Sequence, residues 1–219
     1  MTDPTTVATR HPWHWAAALA VQNRRTLVIV GGAVLLAAGG VWFTLSAKTR
    51  REAFASRALR DAQQAIGAGN APLAASDLAR LVQNYGGTAA AGEGALLLAQ
   101  IRLDQSEVEQ AIGGLREFLD GRPDNHFGAA AHALLGTALE QAGRPAEAAR
   151  AYEEASALWP YEYLRAQSLL EAGRAFRLAG DTTRAVAAYR SVLDQYAETP
   201  SLLEAQLRLG ELRPSRVGG

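Results

Sequence analysis

The side chains that could do chemistry are few and do not converge. His11 and His14 are spaced to share a helix face, but Pro12 sits between them and no third ligand is near. His126 and His132 fall on different faces of a helix, so their spacing does not build a metal site. The carboxylate pairs Glu107/Glu109 and Glu153-Glu154 belong to amphipathic stretches and read as solvated helix faces, not as a general acid and base. No phosphate-binding glycine loop, His-Glu-x-x-His or Gly-x-Ser-x-Gly occurs. The chain has no cysteine, which excludes thiolate metal sites, cysteine nucleophiles and disulfides together. Lys plus Arg and Asp plus Glu balance at 22 each, so no overall field favours nucleic acid. These observations point away from an enzyme, and no catalytic residue, cofactor, metal or small-molecule substrate is expected.

The elements that would position these residues are helical. Residues 26–47 carry no charge, with Arg24 and Arg25 before them and Lys48, Arg50 and Arg51 after. As a helix they would be roughly 33 Å long, enough for a hydrocarbon core of about 30 Å, and longer than the apolar part of a cleavable signal peptide. The stretch is therefore expected to be a transmembrane helix. Gly31, Gly32, Gly39 and Gly40 either give it faces for another helix or reflect the ordinary glycine content of such spans. Trp13 and Trp15 in the 1–25 tail and Trp42 near the other end are expected at the membrane interface.

Beyond a linker over 48–53 the sequence repeats itself. Ala62, Ala99, Gly136, Gly173 and Gly210 are evenly spaced, and so are three further columns: Gly69, Ser106, Gly143, Gly180; Ala74, Ala111, Ala148, Ala185; Leu78, Leu115, Tyr152, Tyr189. The four columns run in register without a gap. They predict antiparallel helix pairs, with small residues where helices touch, a turn residue between them, and a Leu or Tyr filling the space toward the next pair. Longer turns are expected between pairs, around Gly86-Gly87-Thr88, Asp124-Asn125-His126 and Tyr161-Glu162-Tyr163.

The unit 129–160 resembles the tetratricopeptide repeat through Leu135-Gly136, Leu139, Gly143, Ala148, Tyr152, Ala155 and Pro160, and the next through Ala172-Gly173, Phe176, Gly180, Ala185 and Tyr189. The resemblance implies an all-α, right-handed solenoid of about four repeats over 54–213, closed by a capping helix over 202–212 and followed by a mobile tail over 214–219. It also implies protein binding on a concave face lined by the first helix of each unit. Carried over position by position, that face holds Leu59, Leu96, Ala133 and Leu170; Gln63, Gln100, Thr137 and Arg174; and Ile66, Leu103, Glu140 and Arg177. The Lys and Asn set with which cochaperone members clamp a C-terminal carboxylate is missing. An apolar floor grading to Arg174 and Arg177 would suit a segment with an acidic end. The alternative is that the leucines are inter-helix core and only the polar column is exposed.

Tail, span and repeat domain together are similar in layout to the ancillary subunit of the bacterial secretion translocon. That layout implies a single-pass inner-membrane protein with a periplasmic repeat domain, although the positive charges after the span argue for the opposite orientation. Two functions follow: a non-catalytic accessory subunit that assembles or steadies a membrane protein complex, its partners being other subunits and the lipid bilayer, or a membrane-tethered chaperone at the translocon.

Overall fold

Within the helix pairs, Gly69, Ser106, Gly143 and Gly180 each hold the backbone in the left-handed region, with φ from +62° to +80°, and Gly87 does so at +83° in a link between pairs. At each turn within a pair, two amides turn back onto the end of the preceding helix. Gly143 N donates to Glu140 O at 2.9 Å and Arg144 N to Leu139 O at 2.8 Å; the same paired bonds close the turns at Gly69, Ser106 and Gly180. This is the paired carbonyl cap that ends a helix when its terminal residue tolerates positive φ. The residue after each turn starts the next helix. Asn70 and Asp181 do so with side chains that accept from Leu73 N and Arg184 N, at 3.2 and 3.0 Å. Arg144, which cannot accept, instead forms a bidentate pair with Glu147 in the first turn, at 2.8 and 2.7 Å.

The computed structural model describes residues 24–121 and 125–212. Among these residues it contains nine α-helices and no strand: α1 Arg24–Gly67, α2 Ala71–Tyr85, α3 Ala89–Asp104, α4 Val108–Asp120, α5 Asn125–Gln141, α6 Pro145–Leu158, α7 Glu162–Leu178, α8 Thr182–Gln195 and α9 Ser201–Leu212. The chain divides into the units Met1–Arg50 and Arg51–Gly219. The second is a solenoid of helix pairs: the C-terminal part of α1 with α2, then α3/α4, α5/α6 and α7/α8, with α9 packed against α8. Gly86-Gly87-Thr88 is a non-helical link, whereas Asn125 already belongs to α5 and Glu162 to α7, so those two connections are shorter than the sequence implied. Glu52 reaches the N-terminus of α3, where its two carboxylate oxygens accept from Ala89 N and Ala90 N, both at 3.1 Å. A carboxylate there satisfies free amides and meets the positive end of the helix dipole.

The expected membrane anchor requires correction. Among the described residues no helix is long and apolar enough to cross a membrane. Residues 26–47 are not a helix of their own but part of α1, which also carries Arg24, Arg25, Lys48, Arg50, Arg51, Glu52, Arg57, Arg60 and Asp61. The sequence argument treated the uncharged stretch as an isolated span. The single-pass inner-membrane location, the periplasmic placement and the lipid partner rested on it and are withdrawn. Of the tryptophans expected at an interface, Trp42 is an exposed residue of α1, and Trp13 and Trp15 lie outside the described residues.

The helix crossings show why small residues recur. A Cβ on Gly136 would lie 2.6 Å from Cε1 of Tyr152, and one on Gly173 would lie 2.5 Å from Cε1 of Tyr189. Both rings thus lie across the first helix of their own pair, not toward the next pair. At the equivalent positions of the first two pairs, Ala62 and Ala99 accompany Leu78 and Leu115, all four buried. Small residue and large residue change together, Ala with Leu and Gly with Tyr, which keeps the crossing volume roughly constant.

Two predictions follow from the turns and crossings. Gly136→Ala should lower the stability of the full chain by about 1–3 kcal/mol through overpacking, and the same change in a Tyr152→Leu background should cost much less, because it recreates the Ala–Leu pair. Urea denaturation of the four proteins measures the coupling; additive effects would show that the two side chains do not share the space. Ser106 is the one residue other than glycine with positive φ among the described residues. Ser106→Gly should therefore raise stability by about 0.5–1 kcal/mol, seen as a higher urea midpoint at unchanged slope.

Candidate groove for a protein segment

The first helices of three consecutive pairs, α3, α5 and α7, enclose a groove of ≈ 720 Å³, with Tyr152 of α6 and Trp159 of the α6–α7 link at its margin. Its apolar surface comes from Leu96 and Leu97 of α3, Ala130, Ala133 and Leu134 of α5, and Leu164 of α7. The polar part holds Glu93 and Gln100, Thr137 and Glu140, and Gln167, Ser168, Glu171 and Arg174.

Of the residues inferred from the sequence, Leu96, Gln100, Ala133, Thr137, Glu140 and Arg174 line this groove. Leu59, Leu103 and Leu170 do not; they are buried in the helix-packing core, as the alternative assignment of the leucines had it. Gln63 lies outside the lining but donates from Nε2 to Glu93 Oε1 at 2.9 Å. Ile66 is 38% exposed at the end of α1, and Arg177 is an exposed residue near the buried Tyr189 hydroxyl. Sequence reasoning missed Glu93, Leu97, Leu134, Gln167 and Glu171. Their signal was present: Leu97, Leu134 and Glu171 form a repeat column beside those chosen, since a concave helix face is wider than the single stripe at i, i+4 and i+7.

Arg174 is paired with two carboxylates of the groove. Its Nη2 lies 2.7 Å from Glu140 Oε2 and 2.6 Å from Glu171 Oε2, and its Nε donates to Glu171 at 2.8 Å. Burial alone would lower the guanidinium's pKa, but the bonds to Glu140 and Glu171 outweigh it and the pKa is raised. Glu140 is the most enclosed of the three, its side chain 16% exposed. Its Oε2 also accepts from the Tyr152 hydroxyl at 3.3 Å, and that hydroxyl lies 3.2 Å from Thr137 Oγ1. Glu140 Oε1 is buried with no hydrogen-bond partner among the described residues. Burial chiefly, with the Glu140 and Glu171 charges adding to it, pushes the Tyr152 phenol up to about 12, so the hydroxyl remains a neutral donor.

His132 of α5 has its pKa lowered by burial, partly offset by Glu154, and the His126 side chain lies outside the described residues. Among the described residues no three His, Asp or Glu are placed to hold a metal ion.

The family model of a tetratricopeptide repeat-like domain matches residues 44–162, more than half of the chain. The chain belongs to the tetratricopeptide-repeat family. A second model, of the tetratricopeptide repeat itself, matches residues 133–201 of this repeat protein. Two crystal structures of MamA are similar at 20% identity, with TM-scores of 0.55 and 0.57, covering 69% and 72% of this chain and 81% and 80% of theirs. The putative kinesin light chain of Podosopora anserina, with nearly identical TPR-like repeats, is similar at 18% identity and a TM-score of 0.55, over 74% of this chain and 86% of that one. At these identities the likeness shows the fold alone. No curated protein sequence matches this chain. Proteins of the family generally mediate protein–protein interaction, and the repeat fold is typically a non-catalytic scaffold. The likeness to a translocon subunit depended on the membrane span and is not carried further.

The Tyr152 environment predicts a pH dependence. An unfolded tyrosine loses its proton near 10 and the folded Tyr152 near 12, so its contribution is intact below pH 10 and is lost as pH rises toward 12. Tyr152→Phe should make the fall in stability over that range shallower, measured by urea denaturation at stepped pH, with Tyr189 accounting for part of the remaining slope. An unchanged profile would mean that the phenol is not held neutral by its surroundings.

Proposed function

We propose that this chain is a non-catalytic interaction subunit that assembles or stabilises a larger protein complex by seating a segment of a partner protein in the α3–α5–α7 groove. The observation that carries this reading is the groove itself: an apolar surface continuous over three first helices, beside a wall held in place by the Glu140–Arg174–Glu171 bridge. A preformed concavity of this kind binds without the ordering cost of a mobile surface. Specificity would come from Gln100, Gln167 and the carboxylates, whose hydrogen-bonding groups fix the register of a bound backbone.

Ala133 lies on the groove surface, so Ala133→Trp should fill it while leaving the crossings around Gly136 intact. Tagged full chain purified from its native source should bring down a stoichiometric partner, the Trp variant should not, and Glu153→Ala on an exposed face should behave as the parent does. Melting curves of all three proteins check that they are equally folded. Equal recovery of the partner by the Trp variant would sink the groove as the binding site.

A further inference from the structure

We infer that the segment seated in the groove carries a basic side chain, arginine or lysine, within an apolar run, rather than the acidic end that the sequence alone implied. This rests on the groove being the binding site. The lining contains three carboxylates, Glu93, Glu140 and Glu171, against the single guanidinium of Arg174. Arg174 already bridges two of those carboxylates through Nε and Nη2 at 2.6 to 2.8 Å, so its single charge is more than matched before any ligand arrives. What remains is negative. Glu93 receives a neutral amide from Gln63 and has no cationic partner among the described residues. Glu140 keeps one buried oxygen without a donor.

A groove with low-dielectric walls concentrates such an excess, so an incoming anion is repelled and a cation drawn in. The apolar residues of α3 and α5 supply contact for the aliphatic stem of an arginine or lysine as well as for its apolar neighbours. Glu93 lines the groove and is exposed on α3, which makes it the acceptor a basic head group reaches while still partly hydrated.

The test uses three short fluorescein-labelled peptides, acetylated and amidated at their ends, of one leucine- and serine-rich sequence that differs only in a central arginine, glutamine or glutamate. Fluorescence anisotropy with the full chain at low salt should show the arginine peptide binding about tenfold or more tightly than the glutamate peptide, the difference shrinking as salt is added. Glu93→Gln, which keeps an acceptor for Gln63, should remove much of that preference without changing the melting temperature. Peptides that bind and are displaced by Ala133→Trp, yet show no preference or prefer glutamate, would overturn the inference and leave the groove reading standing. If no peptide binds, or if binding ignores Ala133→Trp, the groove reading fails and the inference with it.

Discussion

The close approach of two helices at a residue without a bulky side chain is the constraint on which the rest of this solenoid depends. At Gly136 and Gly173 the approach is tight enough that one added carbon would overlap a tyrosine ring. Beyond that contact, Tyr152 also lines the groove. The same contact that packs α5 against α6 therefore delivers a polar group to Thr137 and Glu140. Packing and site are joined through one side chain, so the groove cannot be altered there without disturbing the crossing.

The electrostatics of the groove follow from that join. Tyr152 and Arg174 both approach the same oxygen of Glu140, one from α6 and the other from α7. An ion pair partly removed from water is costly to break on one side only. The bridge therefore ties α5 to α7 and at the same time offsets the charge of Arg174 within the groove.

The repeat period, the turns within each pair and the small residues at the crossings were legible in the sequence because each depends on local geometry, whereas the Tyr rings were expected toward the next pair and lie across their own. Positive φ selects glycine, a close crossing selects Gly or Ala, and both recur wherever the unit recurs. Ser106 shows the limit of residue type as a guide, since it adopts the turn geometry without being glycine. The groove was less legible. Leu59, Leu103 and Leu170 share a column with Leu96 or lie near it, yet whether a leucine faces a neighbouring helix or the open side turns on the tilt of each pair, which periodicity does not encode. The charge balance of the lining was less legible for a related reason. Arg174 and Arg177 stand out in the sequence, whereas the carboxylates that neutralise Arg174 come from two different helices. For residues 26–47 the expected span was not met, since among the described residues no helix is long and apolar enough to cross a membrane.

Helix α3 belongs to both hydrophobic cores. Leu98 and Ile101 pack with α1 and α2, while Ala99 and Leu103 pack with the pairs that follow, and few of its residues are left facing solvent. Such a helix is a party wall. Fraying that begins at either end of the repeat array removes cover from one side of α3 and leaves the other side sheltered, so local opening stops there before it becomes global. The groove has this helix as one of its walls, so its lining rests on an element covered by both cores.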